Sequence, residues 1–165
     1  LRNMPGPIFM DSKKLSEKKR FRLYRCLKQS KSDIGIGIVM PREIEALNIH
    51  FATLKAMKKA LQNLKNPPEA VKVDGIFCPD FDAEIVAIPK GDEKFQAISA
   101  ASIVAKVFRD YLMIRLDRSF PAYKFAAHKG YPTKEHKLAI SQHGILVSHR
   151  TSFGPVRSVA LKSEL

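Results

Sequence analysis

Tryptophan is absent and cysteine nearly so: Cys26 and Cys78 are the only two in 165 residues. They are too few for a disulfide framework and stand in no metal-ligand spacing. Reduced thiols serving as small core residues are the expectation. No run of about 18 apolar residues occurs, and no charged-then-apolar leader opens the sequence. Neither a membrane span nor a secretory signal is therefore expected, and the expected setting is soluble and cytoplasmic. Acid is the scarce charge. Asp plus Glu number 16 against 29 for Lys plus Arg, a formal net charge of +13, which points to a polyanionic partner. Nucleic acid comes first and an anionic membrane surface second. Internal repeats and low-complexity segments are also missing.

What is present is a chain with 45% hydrophobic and 27% charged residues, enough for one compact domain with a real core. A single catalytic domain over residues 1–165 is expected. Its opening, Leu1-Arg2-Asn3-Met4-Pro5-Gly6-Pro7, has the look of a connecting loop, so a fragment with its N-terminal part missing is expected. Ser16 begins an amphipathic helix carrying Phe21, Tyr24 and Leu27. The β-branched and small residues of Ile34 to Met40 alternate as in a strand with close backbone approach on one face. Pro41 opens a short helix and a longer one follows from Phe51 to Leu64. Ala70 to Val73 and Ala83 to Ile88 are short strands, ending at Asp74-Gly75 and just before Pro89-Lys90-Gly91-Asp92. A long helical pattern runs from Phe95 through Leu116, stopped by Pro121. Thr133 to His143 forms a further helix closed by Gly144. Strands alternating with helices predict an α/β fold with helices covering a sheet.

Asp74 and Asp92 each follow the end of an apolar strand beside a glycine. Metal-assisted phosphodiester cleavage needs carboxylates converging there, because hard divalent cations prefer oxygen ligands. By spacing alone the ordinary alternative is stronger: Asp74-Gly75 as a turn and Asp92 as a helix cap.

Ordered segments along nearly the whole chain alter that balance. They begin with Asp11-Ser12-Lys13-Lys14-Leu15-Ser16, Leu47-Asn48-Ile49 with Ala52-Thr53, Val73-Asp74-Gly75 before Cys78-Pro79, and Lys90-Gly91-Asp92. Ile98-Ser99-Ala100-Ala101-Ser102-Ile103 then leads into Ala105-Lys106-Val107 and Arg109-Asp110. His128-Lys129-Gly130-Tyr131-Pro132-Thr133 and His149-Arg150 with Ser152-Phe153-Gly154-Pro155-Val156 complete the set. Over about residues 8 to 160 the chain resembles the ribonuclease HII family, the type 2 ribonucleases H. The resemblance implies a ribonuclease H-like mixed five-stranded sheet flanked by helices with a C-terminal helical extension, here lacking the first strand or strands. It also implies hydrolysis of RNA in RNA–DNA hybrids and cutting 5′ of ribonucleotides embedded in DNA. The implied mechanism uses two Mg²⁺ or Mn²⁺ ions and leaves 5′-phosphate and 3′-hydroxyl ends, as in primer removal and ribonucleotide excision repair.

Of the family's four carboxylates, two correspond to Asp74 and Asp92. The others form an Asp-Glu pair before a Gly-Arg-Gly turn, and no such run occurs in this sequence. The expectation is that it lies upstream and that this span alone is inactive. The resemblance places Tyr131 against the deoxyribose that follows the ribonucleotide. Ser102 and Lys106, four apart on one helix face, suit a shared phosphate oxygen. Lys13, Lys14, Lys129 and Arg150 are further backbone contacts or ordinary surface charges. Arg109 and Asp110 are read as an interior salt bridge outside the metal set. His128, His136, His143 and His149 lack zinc-ligand spacing and are assigned structural hydrogen bonds. A monomer is expected. The rival readings are a non-catalytic hybrid-binding module and an unrelated basic α/β binding domain.

Overall fold

The structure, a computed structural model, describes residues 15–163. Within that span the chain divides into two compact units, one from residues 15–38 with Thr53–Phe108, the other from Val39–Ala52 with residues 109–163. The elements are α1 (Glu17–Gln29), α2 (Pro41–Gln62), β1 (Ala70–Asp74), β2 (Glu84–Ile88), α3 (Gly91–Lys94) and α4 (Gln96–Ser119). A 3₁₀ turn (Pro121–Tyr123), α5 (Phe125–His128), α6 (Lys134–His143) and α7 (Gly154–Ser163) follow. Among the described residues no helix is long and apolar enough to cross a membrane.

In the first unit, Ser16 caps α1 by accepting a hydrogen bond from the Lys19 amide at 3.3 Å. Leu23 and Leu27 of α1 pack with Leu15, Ala100, Ile103 and Val104. Phe21, expected on that face, is 53% exposed, because six positions from Leu27 place it about 120° off the buried stripe. The expectation of core cysteines is overturned as well: Cys26 and Cys78 are both exposed. Cys26 sits on α1 beside the stripe rather than in it, and Cys78 lies in the irregular segment after β1.

Residues 34–40 form no strand among the described residues. Their close backbone approach is real, yet the partner is a helix. A β-carbon on Gly35 would lie 2.0 Å from the Ala60 carbonyl oxygen, and one on Gly37 1.9 Å from that of Ala56. The Ile36 and Ile38 carbonyls accept from Asn63 Nδ2 at 2.8 Å and Lys59 Nζ at 3.0 Å. Side chains thus satisfy groups that a ladder would otherwise pair. Strands β1 and β2 are parallel and in register from Ala70 opposite Glu84 to Asp74 opposite Ile88. The Gly75 amide extends the ladder to Ile88 O at 3.1 Å. Of the five strands implied by the resemblance, the described residues form these two.

The two helices expected after Pro41 form one stretch, α2, broken at Asn48, where φ is 63° and ψ 169°. Asn48 Oδ1 accepts from the amides of His50 at 2.9 Å and Phe51 at 3.2 Å, restarting the helix as a side-chain cap. In the second unit, Tyr123, Phe125, Ala139, Ile140 and Val156 form the core. The Tyr123 hydroxyl lies 2.9 Å from the carbonyls of both His143 and Gly144, fastening the 3₁₀ turn to the end of α6. Thr133 caps α6 through the His136 amide at 3.2 Å, and Gly144, with φ 81°, closes it. Glu45 Oε1 gathers the Thr151 amide, the Thr151 hydroxyl at 2.6 Å and the Ser152 amide at 3.2 Å. The hydroxyl above all, helped by the amides, holds this carboxyl below its usual range.

Candidate active site

Parallel strands deliver their C-terminal ends side by side, so residues just past those ends meet at one edge of the sheet. Asp74 is the last residue of β1 and Asp92 is the second residue of α3, four residues after the end of β2. The two segments are tied directly: Asp74 Oδ1 accepts from the Gly91 amide at 2.8 Å. Lys90 takes a left-handed conformation, φ 55°, which turns the chain so that this amide faces back to β1. A β-carbon at Gly91 would lie 2.5 Å from Ile98 Cδ1 and 3.7 Å from the Asp74 Cα. Glycine here lets the Ile98 side chain of α4 pack directly against the turn, and a larger residue would have to push that side-chain tip aside.

Asp92 is buried at 9% exposure. Among the described residues its carboxylate has no hydrogen bond or ion pair, and Asp74 Oδ2 has none either. Carboxylate oxygens with no protein donor are open to a cation. Oxygen donors of this kind fit a hard divalent ion. Two carboxylates are fewer than a closed site needs, and among the described residues no group of three or more His, Cys, Asp or Glu side chains converges as a metal site.

The other expected residues are distributed over both units. Ser102 and Lys106 are half-buried on α4 in the first unit. Lys13 and Lys14 lie outside the described residues. In the second unit Tyr131 presents its ring at 55% exposure, while Lys129 sends its ammonium to the Ala126 carbonyl and closes α5. Arg150 lies over the Phe153 ring at 4.8 Å. The reading of Arg109 and Asp110 as an interior pair needs correction: Asp110 is buried at 6%, whereas Arg109 is exposed. Neighbouring positions on a helix point about 100° apart, so the two cannot share one buried face.

Three of the four histidines, His128, His136 and His149, make the structural hydrogen bonds expected of them, while His143 is exposed and its ring meets only that of Tyr123 among the described contacts. His128, His136 and His149 are buried. His128 Nδ1 accepts from the Gly130 amide at 3.2 Å, and its Nε2 meets the Tyr123 carbonyl at 2.7 Å. His136 Nε2 lies 3.2 Å from His149 Nε2, and its Nδ1 lies 3.0 Å from the Tyr131 carbonyl. Burial first, then the neighbouring His136, pushes His149 down to about 4. His136 is lowered too, chiefly by burial. Their positions in sequence, with separations of eight and thirteen, carry no periodic signal for this cluster.

A sequence profile described as Ribonuclease HII matches residues 3–156. The Ribonuclease HII of Shewanella amazonensis is 50% identical over 155 residues, covering 94% of this chain and 75% of that protein. That of Shewanella pealeana is 52% identical, covering 94% and 76%. Among solved structures, the ribonuclease H2 from Pyrococcus horikoshii superposes with a TM-score of 0.75 at 24% identity, covering 96% of this chain and 82% of that one. The RNase HII chain in a PCNA complex from Archaeoglobus fulgidus gives 0.65 at 24% identity, covering 87% and 77%. The α/β framework is ribonuclease H-like, and the enzyme class is that of a ribonuclease H nuclease. The chain belongs to the ribonuclease HII family.

Proposed function

We propose that this chain is the catalytic part of a divalent-metal-dependent endonuclease that cuts the RNA strand of RNA–DNA hybrids and the bond 5′ of a ribonucleotide embedded in DNA. The observation that carries the reading is the hydrogen bond from the Gly91 amide to Asp74 Oδ1, which ties the end of β1 to the segment that carries Asp92. Bound cations would neutralise phosphate charge and make water a better nucleophile. Asp74 and Asp92 would hold such cations, with the Gly91 amide fixing the Asp74 rotamer. The remaining two carboxylates of the family's four are proposed to come from an Asp-Glu pair encoded upstream of residue 1.

Ser102, Lys106, Lys13 and Lys129 are proposed to contact the sugar–phosphate backbone, where charge supplies affinity without reading sequence. Tyr131 is proposed to pack its exposed ring on the deoxyribose following the ribonucleotide. The single-domain organisation, the action as a monomer and the cytoplasmic setting belong to the same proposal. The test uses the complete open reading frame and a duplex with one ribonucleotide. Cleavage should require Mg²⁺ or Mn²⁺, and Asp74→Asn and Asp92→Asn should each lower kcat by at least about a hundredfold. Wild-type rates in both variants, or full activity in EDTA, would remove the assignment. Retained tight binding of hybrid by a protein with no cleavage under any metal would favour the non-catalytic binding module.

A further inference from the structure

Both backbone polar groups of Tyr131 are engaged from the histidine side of its loop. Its amide donates to the His128 carbonyl at 2.9 Å, and its carbonyl lies 3.0 Å from His136 Nδ1. The direction of the hydrogen bonds follows from one fixed donor. The Leu146 amide donates to His149 Nδ1 at 2.8 Å, so the proton of a neutral His149 must sit on Nε2. That Nε2–H faces His136 Nε2 at 3.2 Å, which must then accept, leaving the His136 proton on Nδ1. A proton on Nδ1 is what the Tyr131 carbonyl requires. The same logic sets His128: the Gly130 amide occupies Nδ1, so Nε2–H donates to the Tyr123 carbonyl. The His128 and His136 rings stack at 4.2 Å with 15° between their planes, and Phe125 meets the His136 ring edge-on at 5.4 Å.

We infer that His136, oriented by His149 and braced by His128, is a positioning residue that fixes the backbone of Tyr131 and so aims its exposed ring at the substrate. The inference rests on the proposed role of Tyr131 in sensing the ribonucleotide junction. Ring direction is set at Cα, and the loop crosses Lys129 and Gly130 with φ of 51° and 79°. The Thr133 amide donates locally to the Tyr131 carbonyl at 2.8 Å, and the His136 bond adds a tie from α6 to the same carbonyl. The one-way chain from the Leu146 amide through His149 and His136 orients that tie. It also accounts for three buried imidazoles that touch no reacting group.

The test compares kcat/KM on a duplex with one embedded ribonucleotide and on a long RNA–DNA hybrid, in the complete protein. The ratio of the two is the readout, because a general loss of folded protein lowers both equally. Tyr131→Ala should lower the ratio about tenfold, His136→Phe should lower it in the same direction, and the double variant should fall no further than Tyr131→Ala. His136→Gln, which keeps a side-chain donor, should recover part of the ratio. An unchanged ratio in Tyr131→Ala overturns the reading of Tyr131. A lowered ratio in Tyr131→Ala with a wild-type ratio in His136→Phe and His136→Gln overturns the positioning role alone. If neither histidine variant folds, imidazole nitrogen NMR of the unaltered protein decides: His136 protonated at Nδ1 and His149 at Nε2 supports the chain, and the opposite tautomer at His136 overturns it.

Discussion

Asp92 combines a formal charge, near-complete burial and no hydrogen-bond or ion-pair partner among the described residues. Oxygens with no protein donor are open to a cation and lose no partner when the charge is removed. Asp92→Asn removes the charge at nearly constant volume, so in EDTA the variant should melt no lower than the parent protein. Added Mg²⁺ or Mn²⁺ should raise the parent's Tm by mass action and leave that of the variant almost unmoved. Thermal unfolding of both proteins across a metal titration checks this. Equal metal-induced shifts would show that Asp92 is not a ligand. Gly91 and Gly37 make a contrast at the same scale. The atom nearest a β-carbon at Gly91 is Ile98 Cδ1, the tip of a side chain that can move. At Gly37 it is the Ala56 carbonyl oxygen, with the Ala60 amide nitrogen at 2.6 Å, and both are backbone of α2. Gly37→Ala should therefore cost at least about 3 kcal/mol, above the usual overpacking range of about 1–3 kcal/mol in which Gly91→Ala should fall. Chemical denaturation of the two variants would test the order.

At the scale of elements, α6 and the segment after it are joined through His136 and His149, imidazoles whose burial favours the neutral form. His149 has its Nδ1 occupied by the Leu146 amide and its Nε2 facing His136, beside Tyr123 and Phe125. Its folded value of about 4 lies below the ordinary 6.5, so the unfolded chain binds the proton more readily. The corresponding stability is present in full above pH 6.5 and is lost as pH falls through about 4. For this one group it amounts to roughly 3 kcal/mol. The melting temperature of the parent should drop across that window, and His149→Phe, although weaker at neutral pH, should drop less. Parallel pH profiles in the two proteins would show that another group governs the acid limb.

For the whole molecule, the net charge of +13 sets the form of nucleic-acid binding. Each phosphate contact releases condensed counterions, so log affinity for hybrid duplex should fall linearly with log salt, with a slope near −0.9 per contact. Five to seven contacts would give roughly a thousandfold loss or more between 50 and 200 mM salt. Fluorescence anisotropy over that range measures the slope, and a flat line would place the basic surface away from the binding face.

Several features were legible in the sequence because they depend on neighbours along the chain. Ser16 and Thr133 cap their helices through amides three residues on, and β1 and β2 stop at the glycine and proline that bound them. Asp74 and Asp92 could be chosen because ordered motifs singled them out, and the family followed from the same motifs. Other features depend on which surfaces meet, and local pattern cannot supply that. Residues 34–40 carry a strand pattern, yet α2 occupies the face of their glycines and Asn63 and Lys59 take their carbonyls. Cys26 and Phe21 are apolar enough for a core but lie outside the stripe that Leu23 and Leu27 bury. The Gly91 amide reaches Asp74 across 17 residues, and His136 meets His149 across 13. A hydrogen bond is decided by position and direction within a few tenths of an ångström. Residue type and spacing fix neither once the chain has turned back on itself, so sequence named the carboxylates and only the tertiary structure decided what holds them.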